Sequence, residues 1–311
     1  MDPVQLSLEE VRRESSQSSV NHEYAVNALA IDENRLYSVG QDGKLMLWFQ
    51  ETLRNQAIHS VTNTGLAGLT VDENYVYAGS VSDDHSLRVL TKHVMTNVIT
   101  LHDEYSSFLS LTTTPNEIVA GRSNGNLDLW NKFDWAKVVS IPSKHHIVLS
   151  VAVDDSFLYA GGIDDFVSIF DLRSFGHISN LEGHEADVFS IAIDSDNVYS
   201  GSGEVWWGGP GSPRPPTFES AIRVWNKDSW ECIAILEGHT DNVNAIAIDD
   251  DSIFSVSDDG TLRRYSKNDW TSSFVDLQSG PLNAIVLDQS NIYLGGNAGN
   301  IWKIPKSLFR D

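Results

Sequence analysis

An all-β fold of many short strands is what this sequence predicts, and three observations predict it. The first is internal repetition. The segment VNALAIDENRLYSVGQDGKLMLW at 26–48 returns in altered form six more times, the copies beginning at Val26, Leu66, Phe108, Val148, Val188, Val243 and Leu282 with spacings of 40, 42, 40, 40, 55 and 39. The second is alternation: Val26, Ala28 and Ala30, or Ile191 and Ile193, are apolar at every second place, the period of a half-buried strand. The third is punctuation, with 22 Gly spread along the chain and polar turns such as DEN, DDS and DQSN between the apolar runs. Each copy yields three strands, A, B and C, and the stretch between strand C and the next copy leaves room for a fourth, such as Lys137 to Ile141 or Cys232 to Leu236. Four antiparallel strands in every period make one blade, so the expectation is a seven-bladed β-propeller.

Taken in order, residues 1–14 are an N-terminal extension and residues 15–311 the propeller. The last copy ends at Ile304 with PKSLFRD after it, too short for a fourth strand that returns. Residues about 15–19 (SSQSS) are therefore expected to close the ring as an N-terminal strand. The alternative for this region is a short helix from SLEEVRRE with a Ser7 and Glu10 capping box. The stretch from Gly201 to Trp225 in blade five is much longer than its counterpart from Gly161 to Phe170 in blade four, so the B–C turn of blade five carries an insertion, residues 203–219.

Composition narrows the function. Lys+Arg is 21 against Asp+Glu 43, a formal net charge of −22, the wrong sign for gripping a phosphate backbone, so no nucleic acid is expected. That charge suits attraction of a basic partner, solubility or adaptation to high salt. Cys232 is the single cysteine, which rules out an internal disulfide and a multi-cysteine metal cage. No basic start followed by an apolar run is present, and no uncharged apolar stretch is long enough to cross a bilayer. The expectation is a soluble, intracellular, cytoplasmic protein with no membrane segment.

The copies resemble WD-repeat β-propellers over about residues 15–304. The resemblance rests on Gly183-His184 and Gly238-His239 ahead of strand A, the Ser200 to Ser202 run, and Trp48, Trp130 and Trp225 closing strand C. It implies a hydrogen-bonded tetrad of His, Ser, Asp and Trp that stiffens a blade. The matching residues are His22, Ser38, Asp42 and Trp48 in blade one; His184, Ser200 and Trp225 in blade five, with Glu219 at the Asp register; and His239, Ser255 and Asp259 in blade six, with Tyr265 for Trp. The other four blades have no His at that place and Leu90, Phe170 or Ile304 at three of the Trp positions, so they are expected to rely more on packing.

Three catalytic or nucleotide-binding signatures are missing: there is no His-Glu-x-x-His, Gly-x-x-x-x-Gly-Lys or Gly-x-Gly-x-x-Gly. No metal or other cofactor is expected. Asp ends strand A at Asp32, Asp72, Asp154, Asp194, Asp249 and Asp288; a turn cap explains a position reused around a rim better than one cation does. Large apolar residues recur five places after strand C, at Leu53, Met95, Trp135, Phe175, Trp230, Trp270 and Phe309, and are expected to pack between blades. What breaks the repeat carries the function. The insertion holds Trp206, Trp207, Arg214 and Phe218 among four prolines, residue types suited to a preorganised contact surface, although the two Trp could instead cover the rim or the channel mouth. Tyr24, Phe189, Asp241 and Asn244 are expected on the same face. The resemblance implies a non-enzymatic scaffold or recognition module for a protein or peptide partner, basic in one reading. The competing class is an enzyme using the axial channel.

Overall fold

The computed structural model describes residues 3–81, 84–92, 94–103, 105–204 and 219–309. Seven sheets each carry a four-stranded antiparallel blade in the order A-B-C-D, with strand A innermost. Blade one runs Val26–Ile31, Arg35–Gly40, Lys44–Phe49 and Asn55–Ser60. This meander puts the A–B and C–D turns on one face of the disc and the B–C and D–A loops on the other.

Burial explains the residue types. Strand B lies inside a blade that is covered on both sides, and its residues are almost all buried, as in Phe157–Gly162; the outermost strand alternates, as in Asn55–Ser60. The apolar cores straddle neighbouring blades: Tyr37, Val39 and Leu47 of blade one pack with Leu66, Val76 and Met95 of blade two. Close approach fixes a recurrent glycine in strand B. A Cβ on Gly161 would come within 2.5 Å of Val188 Cγ1, and one on Gly201 within 2.7 Å of Val243 Cγ1, the first strand A residue of the next blade.

The recurrent apolar residues after strand C pack against the preceding blade. Trp135 meets Tyr75 with ring centroids 5.5 Å apart, and Trp230 meets Phe157 at 5.4 Å. Six of them, Leu53, Met95, Trp135, Phe175, Trp230 and Trp270, have φ between 49° and 62°. The left-handed backbone costs a residue with a side chain about 1–2 kcal/mol, which burial of a large apolar side chain offsets.

The ring closes with an N-terminal strand, and the two alternatives for this region both occur. Ser16–Gln17 is the fourth strand of blade seven and pairs antiparallel with its strand C, Ser16 opposite Lys303 and Gln17 opposite Trp302. Just before it, Leu8–Glu14 is a helix whose Ser7 N-cap accepts from the Glu10 N–H. Val4–Gln5 adds as a fifth, parallel strand on the outer edge of blade six. Among the described residues no helix is long and apolar enough to cross a membrane.

Candidate partner-binding face

The tetrad residues come together in three blades. In blade one Trp48 Nε1 donates to Ser38 Oγ (2.9 Å), Ser38 Oγ lies 2.8 Å from His22 Nε2, and His22 Nδ1 lies 2.9 Å from Asp42. A carboxylate only accepts, so the imidazole turns its Nδ1–H to Asp42, and in the neutral ring the serine, which accepts from the indole, donates to Nε2. Blade five repeats this with Glu219: His184 Nδ1 is 2.8 Å from Glu219 Oε2, His184 Nε2 is 2.6 Å from Ser200 Oγ, and Trp225 Nε1 donates to Ser200 at 2.8 Å. In blade six His239 reaches Asp259 (2.9 Å) and Ser255 (2.7 Å), while Tyr265 donates to the Glu237 carbonyl. Burial would raise the Glu219 pKa, but the hydrogen bond and charge of His184, the Glu185 N–H and Arg223 bring it down to about 2.

Burial also lowers the pKa of His22, His145 and His239, against the pull of their carboxylates. Below the ordinary histidine value near 6.5 the unfolded chain takes up protons that the folded protein refuses. Each such histidine then removes about 1.4 kcal/mol of stability per pH unit until its folded-state pKa is reached. Urea unfolding is therefore expected to show a clear loss of stability from pH 7 to pH 5.5. Equal or greater stability at pH 5.5 would mean that these imidazoles are protonated in the fold.

Two of the remaining blades, expected to rely more on packing, also carry polar networks of their own. In blade four His145, one residue past the expected register, is buried, lies 3.1 Å from the Ala160 carbonyl and 3.5 Å from Asp164, and stacks on Phe166. A strict register search misses it because it stands three residues before Val148, where His184 and His239 stand four before Val188 and Val243. In blade three Arg122, fully buried, takes the polar role. Its guanidinium contacts Asp128 (2.5 Å), Asp103 (3.1 Å) and the carbonyls of Ser106 (2.6 Å) and Ser107 (3.2 Å), and lies 3.7 Å from the Phe108 ring centroid.

On the face of the D–A and B–C loops, strand A carries a register shift after its first residue in all seven blades. The second residue is the bulged one, and a bulge re-aims its side chain. These residues, Asn27, Ala67, Leu109, Leu149, Phe189, Asn244 and Asn283, line the axial channel, about 210 Å³ in volume. They divide by chemistry. Leu109, Leu149 and Phe189, on consecutive blades three to five, are partly exposed and apolar. Asn244, Asn283 and Asn27, on blades six, seven and one, donate to the first strand A carbonyl of the next blade, at Leu282 (2.9 Å), Val26 (3.1 Å) and Leu66 (2.6 Å).

Of the residues expected on this face, Phe189 belongs to the apolar arc. Asn244 has its amide engaged by Leu282 and by Asp258 (2.7 Å). Asp241, half-buried, accepts from the Asn242 N–H. Tyr24 is exposed, but stands at blade one, away from the arc. Tyr105, which sequence reasoning passed over, is 84% exposed in the loop leading into blade three, on the same face as the arc; its signal was an aromatic residue just ahead of strand A, as at Tyr24. Trp206, Trp207, Arg214 and Phe218 lie outside the described residues. The stem of their loop is anchored at both ends: the Glu204 N–H donates to Asn242 Oδ1 of blade six (2.7 Å), and Glu219 is held by His184.

The opposite face carries a second recurrent network. Each strand A aspartate caps its A–B turn, as Asp32 does by accepting from the N–H of Asn34 and Arg35. Four of them also accept from a strand B tyrosine and pair with a lysine of the following blade: Asp32 with Tyr37 and Lys92, Asp72 with Tyr77 and Lys132, Asp154 with Tyr159 and Lys227, Asp194 with Tyr199 and Lys267. The ammonium lies 2.7–2.9 Å from the carboxylate in each. Burial and the carboxylate together hold these tyrosines protonated far above their ordinary range. At the junction of blades three and four Thr114, Val119 and Leu172 replace all three members. The lysine two residues past strand C was legible as a recurrence in the sequence, but its partner is in another blade.

Comparison with known proteins agrees with this architecture. The family profile described as "WD domain, G-beta repeat" matches residues 230–266. The chain is similar to the DENN domain and WD repeat-containing protein SCD1 of Arabidopsis thaliana (26% identity over 205 residues, 65% of this chain and 15% of that protein). It is also similar to protein hir1 of Aspergillus terreus (28% over 170 residues, 54% and 15%) and to cell division control protein 4 of Candida albicans (31% over 129 residues, 40% and 17%). The chain thus spans less than a quarter of the length of these relatives. Among solved structures, the computationally designed Ika8 protein superposes with a TM-score of 0.70 at 17% identity, covering 93% of this chain and 98% of that one, a likeness of fold. The chain is a seven-bladed β-propeller, and its sixth blade matches the WD-repeat profile.

Proposed function

We propose that this propeller is a non-enzymatic scaffold that recognises a protein or peptide partner on the face of its D–A and B–C loops. The observation that carries the reading is the arc of Leu109, Leu149 and Phe189 over blades three to five, an apolar strip bordered by polar asparagines, with the exposed Tyr105 on the same face, the pattern of an interface core with a polar rim. Trp206, Trp207, Arg214 and Phe218 belong by sequence to the insertion of blade five, the blade that carries Phe189, and are proposed to extend the strip. Tyr24, Asp241 and Asn244 are proposed as its outer contacts. The net charge of −22 favours a basic partner inside the cell and disfavours nucleic acid.

The test compares capture of partners by wild type, by Tyr105→Ala/Phe189→Ala, by a variant with residues 204–218 replaced by a short Gly-Ser turn, and by Phe133→Ala on the opposite face, where Phe133 is 80% exposed. The expected result is a partner lost from the first two variants and kept by Phe133→Ala, all melting like wild type. Equal capture by every variant overturns the assignment of this face.

A further inference from the structure

The junction of blades seven and one has two members of the aspartate, tyrosine and lysine network and lacks the third. Asp288 accepts from Tyr293 Oη at 2.7 Å, as its counterparts do, but the lysine register in blade one is Gln50. Gln50 turns its amide to the carbonyls of Asp32 (2.5 Å) and Arg35 (3.1 Å) in its own blade. Among the described residues Asp288 pairs with no cation; the amide of Asn291 spans its two oxygens at 3.1 and 3.0 Å. Lys303 approaches from blade seven, its ammonium 5.9 Å from the Tyr293 ring centroid, but directs it to the carbonyls of Gln50 (3.0 Å) and Glu51 (3.1 Å) and forms no ion pair with Asp288.

This junction opens into a cleft of about 810 Å³ lined by Asp288, Tyr293, Glu33, Glu51 and the half-exposed Phe49. The clefts at junctions that seat a lysine, blades one with two and five with six, measure about 550 and 460 Å³. Four complete copies in the same molecule establish what the Asp and Tyr pair holds: a primary ammonium, 2.7–2.9 Å from the carboxylate, with Lys132, Lys227 and Lys267 at 5.2–5.7 Å from the tyrosine ring centroid.

We propose that the cleft between blades seven and one receives a lysine side chain from a partner protein, its ammonium seated between Asp288 and Tyr293 where the other junctions place a lysine of their own. Asn291 turns aside to admit it. The aliphatic stem lies along Phe49, and Glu33 and Glu51 counter the charge of Lys303. The protein then has a contact point on the face opposite the apolar arc, independent of the arc's role.

The test is an NMR titration of the isotopically labelled full chain with acetyl-Gly-Lys-Gly-amide and, as control, the same peptide with norleucine for lysine. Saturable shifts are expected at the Gln50 and Ser290 amides and at the Asn291 side chain with the lysine peptide alone. Gln50→Lys, which supplies an internal ammonium, is expected to weaken binding roughly tenfold or more, and Asp288→Asn to do the same. Absence of shifts at these groups in wild type, equal response to norleucine, or an undiminished titration of Gln50→Lys each overturns the proposal. The last of these would reveal general attraction to an acidic surface.

Discussion

Removing residues 1–17 is expected to lower the unfolding free energy by roughly 3–5 kcal/mol, the largest effect predicted for any peripheral segment. Val11, 1% exposed, packs into the core shared by blades six and seven with Val275, Leu277 and Trp302, and burying such a side chain contributes about 1.5–3 kcal/mol. Leu6 and Leu8 pack against the same core, Arg12 donates to the Leu277 carbonyl, and Leu6 N–H donates to the Phe274 carbonyl. Each hydrogen bond contributes about 1 kcal/mol net, and the ordering entropy of the arm offsets part of the sum. Deletion also leaves the Ile301–Pro305 strand as an unprotected edge. Val11→Ala is the point version, with an expected cost of about 1–2 kcal/mol. A truncated protein with the melting temperature of wild type would show that the arm does not close the ring.

Arg122→Met is expected to cost about 3–5 kcal/mol, measured by urea unfolding. The guanidinium is wholly enclosed and answers two carboxylates and two carbonyls, so its loss strands polar groups in a dry site. Lys137, 3.1 Å from both Asp103 and Asp128, limits the damage, which favours the lower end of the range. The double variant Arg122→Met/Asp128→Leu is expected to regain much of the loss, because an apolar pair of similar volume leaves no buried charge. A single variant within about 1 kcal/mol of wild type would contradict the buried network. Recovery absent from the double variant would place the cost in the stacking of Arg122 on Phe108 instead.

Much of the site was legible in sequence to the extent that it obeyed the repeat. His22, Ser38, Asp42 and Trp48 stand at the offsets that the resemblance to WD repeats assigns to a tetrad, and the strands keep the lengths that bring those offsets together. His145 and Arg122 escaped because they reach the same region of a blade from other registers. The apolar arc was half visible: Leu149, Phe189 and Asn244 share a strand position, but that a bulge turns this position to the channel mouth in every blade follows from pairing, which the sequence does not spell out.

By itself the sequence determined the all-β ring, the number of blades, the strand boundaries, the turn aspartates and the length of the insertion. All are local, since each blade repeats one pattern of alternation and punctuation within a single period. Only the tertiary structure decided which residues meet across blades. Lys92 finds Asp32 in the preceding repeat, Lys227 finds Asp154 in the same way, and Val11, near the start of the chain, enters a core built from its far end, Phe254 to Phe309. Such contacts depend on how blades stack side by side around the axis and on closure of the ring, which set as partners residues of different repeats that neither repeat marks as a pair.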